Sequence, residues 1–177
     1  AQAMRHELKV PILTAGRINQ PRQAENAVLE GRTDMVGMVR AFIADPEFAR
    51  KAEQDRPEDI RACIACNQAC LDFIFSDRPV GCLVNPRAGR ETEFRDTPTD
   101  TPKKVAVVGG GAAGMATAAE AARLGHDVTL FEAQDKLGGQ LNLARAAPGK
   151  DEFDETLNMQ DQTIAHEARM GEDSLKY

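Results

Sequence analysis

Residues 105–114 read VAVVGGGAAG, and this stretch decides the fold of the second half of the chain. A short apolar run, typical of a buried strand, leads directly into three glycines at GxGxxG spacing, Gly109, Gly111 and Gly114. Met115–Leu124 continues as an Ala-rich helix. In this setting the first glycine permits a tight turn, the second lets the backbone approach a pyrophosphate, and the third allows close packing of helix on strand. The N-terminus of the helix attracts phosphates. The stretch therefore predicts a dinucleotide-binding βαβ unit.

The segment after the helix strengthens this prediction. Asp127–Glu132 (DVTLFE) reads as the second strand, and Glu132 stands at its end, 21 residues after Gly111. A carboxylate at that position can accept hydrogen bonds from a ribose diol. The following Leu137-Gly-Gly-Gln140 resembles the Gly-Gly element of flavoproteins that bind two dinucleotides. That element favours FAD over NAD at this loop.

All four cysteines of the chain fall in one short region, at Cys63, Cys66, Cys70 and Cys82. Their spacings of two, three and eleven intervening residues form one compact clamp plus a distant ligand. Zinc sites usually present two CxxC pairs separated by a longer loop, whereas three clustered thiolates and a remote one suit the corners of a [4Fe–4S] cluster. The spacing favours the cluster and leaves zinc, two disulfides or free thiols as alternatives.

Residues 10–56 read as two strand-then-helix units. Val10–Ala15 and Met35–Val39 are the expected strands, with a helix around residues 20–30 between them. Asp45 and Pro46 provide a cap and a first-turn proline for a second helix, expected to run to about residue 55. Alternation of this kind predicts a parallel sheet. Two such units cannot close a sheet or barrel, so the segment is expected to lack its partners.

Composition narrows the function classes. The net charge of −6 and a pI near 5.1 argue against nucleic-acid binding. Neither an apolar run of membrane-spanning length nor a secretory leader is visible, so we expect a cytoplasmic, reducing location without a membrane partner. Residues 91–103 have the composition of a linker, and residues 158–177 show no helical or strand periodicity.

Several motifs coincide in order and spacing: VPILTAGRI, DMVGMVRAFIADPEF, CIACNQACLDFIF, CLVNPRAG and VAVVGGGAAGM. Together they resemble the iron–sulfur flavoenzymes of the old yellow enzyme (NADH:flavin oxidoreductase) class, most closely the NADPH-dependent 2,4-dienoyl-CoA reductase branch. The resemblance covers about residues 5–157. The cysteine spacing resembles trimethylamine dehydrogenase and its amine-oxidising relatives less, because their second and third cysteines are closer together.

The resemblance implies an α/β chain that is an internal piece of such an enzyme. Residues 1–56 are then the last two βα units of a (β/α)8 barrel, and residues 57–90 the [4Fe–4S] segment. Residues 91–103 are a linker, and residues 104–157 start a Rossmann-like FAD-binding domain. Residues 158–177 stay unassigned.

The resemblance also implies cofactor contacts. Cys63, Cys66, Cys70 and Cys82 hold the cluster. Loops after barrel strands 7 and 8 form a phosphate site, so the FMN phosphate is assigned to Gly16, Arg17, Val39 and Arg40. Val39 stands where relatives commonly have Gly or Ala, and its branched side chain is expected to crowd the phosphate. FAD contacts are assigned, beyond the three loop glycines, to Ala113, Glu132, Gly139, Gln140 and Lys150.

The activity implied is reduction of a conjugated enoyl or dienoyl thioester. Electrons pass from NADPH through FAD and the cluster to FMN. No catalytic residue is assigned to this chain, which lacks the earlier barrel strands and a recognisable NADPH domain, so we expect it to be inactive alone. Alternatives are an amine dehydrogenase or demethylase relative, a non-catalytic FAD and iron–sulfur electron-transfer module, and a zinc-stapled nucleotide-binding domain. The sequence leaves the oligomeric state open.

Overall fold

The structure is a computed structural model that describes residues 2–94, 97–150 and 152–158. The chain divides into two compact units, Ala1–Glu91 and Thr92–Tyr177. The predicted unassigned segment 158–177 lies outside the described residues except for its first position, which is helical.

The first unit begins with two βα units in the predicted order. A short helix α1 (Gln2–Arg5) is followed by strand β1 (Leu13–Ala15), helix α2 (Pro21–Leu29) and strand β2 (Met35–Gly37). The two strands pair in parallel, with Leu13 opposite Met35 and Ala15 opposite Gly37. The predicted parallel pairing is therefore confirmed. Its physical basis is the helical crossover, which returns the chain to the same end of the sheet.

Three boundaries of the first unit differ from the sequence prediction. The strand expected over Val10–Ala15 covers only Leu13–Ala15. The strand expected over Met35–Val39 ends at Gly37, and helix α3 (Val39–Ala44) begins two residues later. Ala41 and Ala44 lie three residues apart on one face of α3, and both are buried. That burial outweighs the strand propensity of Val39. The helix expected to reach residue 55 is the shorter α4 (Phe48–Glu53).

The rest of the first unit has little regular structure. A 3₁₀ turn (Pro57–Asp59) leads into the cysteine region, in which helix α5 (Leu71–Ile74) is a single turn. Ala41, Phe48 and Ile60 form a small apolar core that joins α3 and α4 to the start of the cysteine region. The cysteines are therefore carried by loops that depend on the preceding helices for their position.

The second unit contains the predicted βαβ arrangement. Strand β3 (Lys104–Val108), helix α6 (Ala112–Arg123) and strand β4 (Asp127–Phe131) are followed by helix α7 (Leu141–Ala144) and by a helix over residues 152–158. The strands β3 and β4 pair in parallel. Burial of one sheet face against α6 forms the core, which contains Val107, Met115, Ala118, Val128, Leu130 and Leu157. Within the part of the chain that is described, no helix has the length and apolar character needed to cross a membrane.

Candidate metal centre and nucleotide-binding loop

One cavity in the first unit is lined by all four cysteines. It encloses about 320 Å³, including the part open to solvent. Each cysteine is partly buried, and none is in a disulfide. The other lining residues include apolar side chains of Ile43, Ile64, Leu83 and Val84, and the polar side chains of Arg40 and Asn67. The structure thus brings together the four residues that the sequence assigned to metal binding.

The first cysteine is positioned by two buried polar side chains. Asn19, in the loop after β1, donates from Nδ2 to the carbonyl of Cys63 at 3.0 Å. Asp45 accepts from the backbone N–H of Arg61 at 2.9 Å and pairs with the ammonium of Lys51 at 2.6 Å. Because both side chains are buried, their hydrogen bonds fix the segment entering the cavity.

The turn around Cys66 has unusual backbone geometry. Ala65 and Asn67, its two neighbours, both have positive φ angles, of 51° and 60°. Asn tolerates this left-handed conformation, whereas for Ala it costs about 1 kcal/mol. The paired left-handed residues curl the backbone tightly, so that the cavity is lined by Cys63 and Cys66 together.

Cys70 and Cys82 are brought together across a longer loop. Cys70 immediately precedes α5, and the N–H of Gly81 donates to the carbonyl of Ala69 at 2.7 Å. Asn85 donates from Nδ2 to the carbonyl of Ile43 at 2.9 Å, which ties the end of the loop to α3. These two hydrogen bonds hold the loop between Cys70 and Cys82, and both cysteines line the same cavity.

The partial burial of the cavity changes the pKa of one of its four thiols. Desolvation raises the pKa of the Cys82 thiol, and the nearby Cys63 and Cys66 raise it further. The backbone N–H groups of Val84 and Asn85 oppose the shift. The neutral thiol is therefore favoured unless a cation or metal stabilises the thiolate.

Among the described residues, no group of three or more His, Cys, Asp or Glu side chains converges to hold one metal ion. Zinc requires its thiolates at about 2.3 Å from one point. In a cubane each thiolate binds a different corner, so a cluster requires thiols that line one cavity without meeting at a single point.

The four residues assigned to the FMN phosphate lie in two places, directly after β1 and in the first turn of α3. Gly16 and Arg17 directly follow β1, and both have positive φ angles, of 136° and 50°. Val39 and Arg40 lie in the first turn of α3 rather than at a strand end, which corrects the sequence prediction. The Val39 side chain is 75% exposed. Arg40 lines the cysteine cavity, and its Nη1 donates to Oδ1 of Asn67 at 2.8 Å.

The glycine loop of the second unit has the geometry that its sequence predicts. Gly109 has φ of 101°, and its N–H donates to the carbonyl of Phe131 at 2.7 Å. A Cβ at Gly114 would lie 1.7 Å from the carbonyl oxygen of Gly109, so helix and strand approach too closely for any side chain. A Cβ at Gly111 would meet nothing within 4 Å, which leaves this backbone open to a ligand.

Glu132 braces the glycine loop. Its Oε2 accepts from the N–H of Gly110 at 2.6 Å, and its Oε1 accepts from the N–H of Gln134 at 2.9 Å. The N–H groups of Gln134 and Gly110 lower the pKa of the Glu132 carboxyl. The carboxylate predicted to meet a ribose therefore stands beside the loop in its ionised form and orders it.

The Gly-Gly element packs against the same loop. The N–H of Gly138 donates to the carbonyl of Gly110 at 2.8 Å, and Gly138 forms a parallel bridge with Gly111. A Cβ at Gly139 would approach the Cα of Gly111 to 3.2 Å. The structure therefore places the second predicted glycine motif directly on the first.

Three further residues were assigned to FAD from the sequence, and each lies in or near a helix of the second unit. Ala113 is exposed in the first turn of α6, and Gln140 is exposed at the start of α7. Lys150 is half-buried, with its ammonium 5.6 Å from the ring centroid of Phe153.

Sequence reasoning missed the roles of Asn19 and Asn67, whose partners are 44 and 27 residues distant. An Asn directly after a clustered cysteine was the one available signal, since Asn tolerates left-handed backbone.

Comparison with known proteins shows which families the two parts of the chain are similar to. Residues 1–59 match the model of the NADH:flavin oxidoreductase / NADH oxidase family, and residues 107–161 match that of the NAD(P)-binding Rossmann-like domain. The chain is 48% identical over 153 residues to a metal reductase of Desulforamulus reducens, covering 86% of this chain and 23% of that protein. It is 45% identical over 154 residues to an NADH oxidase of Thermoanaerobacter brockii, covering 85% and 23%.

A solved structure supports the fold. A 2-naphthoyl-CoA reductase complex matches with a TM-score of 0.88 and 42% identity, over 97% of this chain and 26% of that one. The chain thus spans about a quarter of the length of the proteins it matches.

These matches confirm the predicted α/β fold class, in which the C-terminal end of a barrel precedes the start of a Rossmann-like unit. Through residues 1–59 the chain is similar to the NADH:flavin oxidoreductase / NADH oxidase family. The resemblance stated from the sequence motifs is therefore confirmed.

Proposed function

We propose that this chain carries the iron–sulfur and dinucleotide-binding parts of an NAD(P)H-dependent flavin oxidoreductase that reduces a conjugated enoyl or dienoyl thioester. The observation that carries this proposal is the cavity shared by Cys63, Cys66, Cys70 and Cys82 directly beside α3. Four unpaired thiols, partial burial and apolar walls suit a [4Fe–4S] cluster, and such thiols persist in a reducing, cytoplasmic compartment.

A bound cluster supplies one-electron transfer between centres that otherwise exchange electron pairs. The chain's own residues would hold it, shape its apolar surroundings and order the loops on either side. Four residues are proposed to approach the FMN phosphate: Gly16 and Arg17 from the loop after β1, and Val39 and Arg40 from the first turn of α3. Arginine suits this task because its planar fork binds phosphate oxygens in pairs.

The glycine loop is proposed to bind the ADP part of FAD. The open backbone of Gly111 and the N–H groups at the start of α6 support pyrophosphate binding. Ala113, Gly139, Gln140 and Lys150 are the proposed flanking contacts, and Glu132 the ribose contact. A thioester substrate is supported by the similarity to a 2-naphthoyl-CoA reductase. The chain alone is expected to show no NAD(P)H-dependent turnover.

Anaerobic reconstitution of the chain with iron and sulfide tests the cluster. We expect about four irons and four sulfides per chain, with the broad visible absorbance of a cluster. Cys70→Ser should lose the absorbance, because a serine hydroxyl is a poor substitute for a thiolate. Ala69→Ser, which adds a hydroxyl at the neighbouring cavity position, should retain it. Stoichiometric zinc without iron–sulfide absorbance would contradict the proposal and favour the zinc-stapled alternative.

A further inference from the structure

Arg40 stands out among the residues around the cysteine cavity. Of the described residues that line the cavity, it alone has an Arg, Lys, His, Asp or Glu side chain. Every other lining side chain is apolar, a thiol or an amide. The sequence motif assigned this arginine to a phosphate, yet in the structure it also lines the cavity that the four cysteines share.

The position of the guanidinium is fixed from two directions. Its backbone lies in the first turn of α3, beside the buried Ala41 and Ala44. Its Nη1 donates at 2.8 Å to Oδ1 of Asn67, the residue that directly follows Cys66. Because this contact uses one of five guanidinium donors, the charge stays available to the cavity and to a second ligand.

A fixed positive charge at a thiolate-lined cavity has a predictable redox consequence. Reduction adds one negative charge to a cluster, and a nearby cation stabilises the more negative state. The potentials of iron–sulfur clusters are set by net charge, hydrogen bonds and exposure to solvent. A cationic side chain among the residues that line a partly buried cavity acts through the first of these, the net charge.

We propose that Arg40 is a tuning residue that raises the reduction potential of the cluster held by the four cysteines, and that Asn67 holds its guanidinium in place. This inference rests on the proposed function, because it requires the cluster. It goes beyond that function by assigning the phosphate-motif arginine a second task at the metal centre.

Dye-equilibrated redox titration of the reconstituted chain, followed by its visible absorbance, tests the inference without any turnover assay. Arg40→Gln should lower the ratio of reduced to oxidised cluster about tenfold at a fixed ambient potential, which is about 59 mV for one electron. Arg40→Lys keeps the charge and should stay within about threefold of the unmodified chain. Arg50→Gln, which removes a surface arginine paired with Glu47, is the matched control and should leave the ratio unchanged.

A second variant, Asn67→Asp, tests the same inference without changing Arg40. The new carboxylate is isosteric with the amide and neutralises the guanidinium, so the ratio should fall in the same direction. If the Arg40→Gln chain retains no iron, the inference is tested by comparing the ratio of reduced to oxidised cluster in Asn67→Asp with that in the unmodified chain.

Equal ratios in the unmodified chain, Arg40→Gln and Asn67→Asp would overturn the inference and leave the cluster proposal standing. An equal fall in Arg50→Gln would also overturn it, because the effect would then follow net charge. An unmodified chain that binds no iron would contradict the cluster proposal itself.

Discussion

Single glycines in the nucleotide loop perform separable tasks. Gly114 is required by packing, since a Cβ there would lie 1.7 Å from a backbone carbonyl oxygen. Gly111 has φ of −77°, which any residue can adopt, and its Cβ position is empty. The sequence motif treats the two positions alike, whereas the structure separates stability from binding.

We therefore expect the two substitutions to affect different properties. Gly114→Ala should mainly lower stability, and Gly111→Ala should mainly lower the affinity for FAD. Gly114→Ala should destabilise the second unit by about 3 kcal/mol, because backbone must move. Gly111→Ala should cost about 1 kcal/mol or less, the loss at an N-cap position. Its affinity for FAD should nevertheless fall at least about tenfold, because a methyl group occupies the pyrophosphate approach.

Thermal unfolding and the quenching of FAD fluorescence measure the two effects on the same samples. Ala116→Ser, at an exposed position of α6, is the control and should change neither. A Gly111→Ala chain that binds FAD normally would show that the pyrophosphate does not approach this backbone.

At the scale of elements, short segments are held by specific polar contacts rather than by their own propensity. The four-residue α1 is attached to the strands through Arg5, whose Nη1 lies 2.5 Å from Oδ2 of Asp34. The same oxygen accepts from the N–H of Ile12 at 2.8 Å. An isolated helix of this length is unstable in water, so its position depends on this pair.

The attachment of α1 is expected to depend on pH. The hydrogen bond from Arg5, followed by that from Ile12, lowers the pKa of Asp34 to about 2 from its usual 3.8. Because the folded-state pKa is depressed, the stabilisation is fully present above pH 3.8 and is lost as pH falls toward 2. Asp34→Asn should therefore lower the melting temperature at neutral pH but not at pH about 2.

Thermal unfolding at both pH values checks this difference. Glu25→Gln, at an exposed carboxylate of α2, is the matched control and should show no such convergence. A constant difference between Asp34→Asn and the unmodified chain across the range would mean that the contact is not ionic.

The cysteine region illustrates the same dependence on contacts from other elements. Asp45 is 1% exposed and accepts hydrogen bonds from the N–H groups of Glu47 and Arg61 while pairing with Lys51. One side chain therefore joins the turn before α4 to the segment that enters the cysteine cavity. Removing one partner of such a buried pair costs about 3 kcal/mol.

At the scale of the molecule, each parallel strand pair has apolar side chains open to solvent. In the second unit Val108 is 85% exposed and Phe131 is 52% exposed, although Val107 and Leu130 beside them are buried. In the first unit Leu13 and Met35 are 58% and 61% exposed. Parallel sheets are normally covered on both faces.

The exposed face of the second unit is expected to bind an apolar dye. Val108→Thr combined with Phe131→Thr should reduce the fluorescence of bound anilinonaphthalene sulfonate and change the unfolding free energy by less than about 1 kcal/mol. Val107→Thr, which places a hydroxyl in the core, should cost about 2 kcal/mol and increase dye binding. Unchanged dye binding in the double variant would place the apolar surface elsewhere.

The sequence by itself determined the parts of this protein that depend on local pattern. Strand, glycine loop, helix and second strand follow from periodicity and from backbone freedom, and the two βα units from alternation of the same kind. Four clustered thiols likewise predict a metal centre by their spacing, and this stays a prediction. Such signals are contained within about 30 residues, so no knowledge of packing is needed to recognise them.

Only the tertiary structure decided how distant residues meet. It moved Val39 and Arg40 from a strand end into α3, because burying Ala41 and Ala44 outweighs strand propensity. It also brought Asn19 to the carbonyl of Cys63 and Arg40 to Asn67, across 44 and 27 residues. These contacts depend on how the loops fold over the helices, because hydrogen bonds between remote residues leave no periodic trace in the sequence.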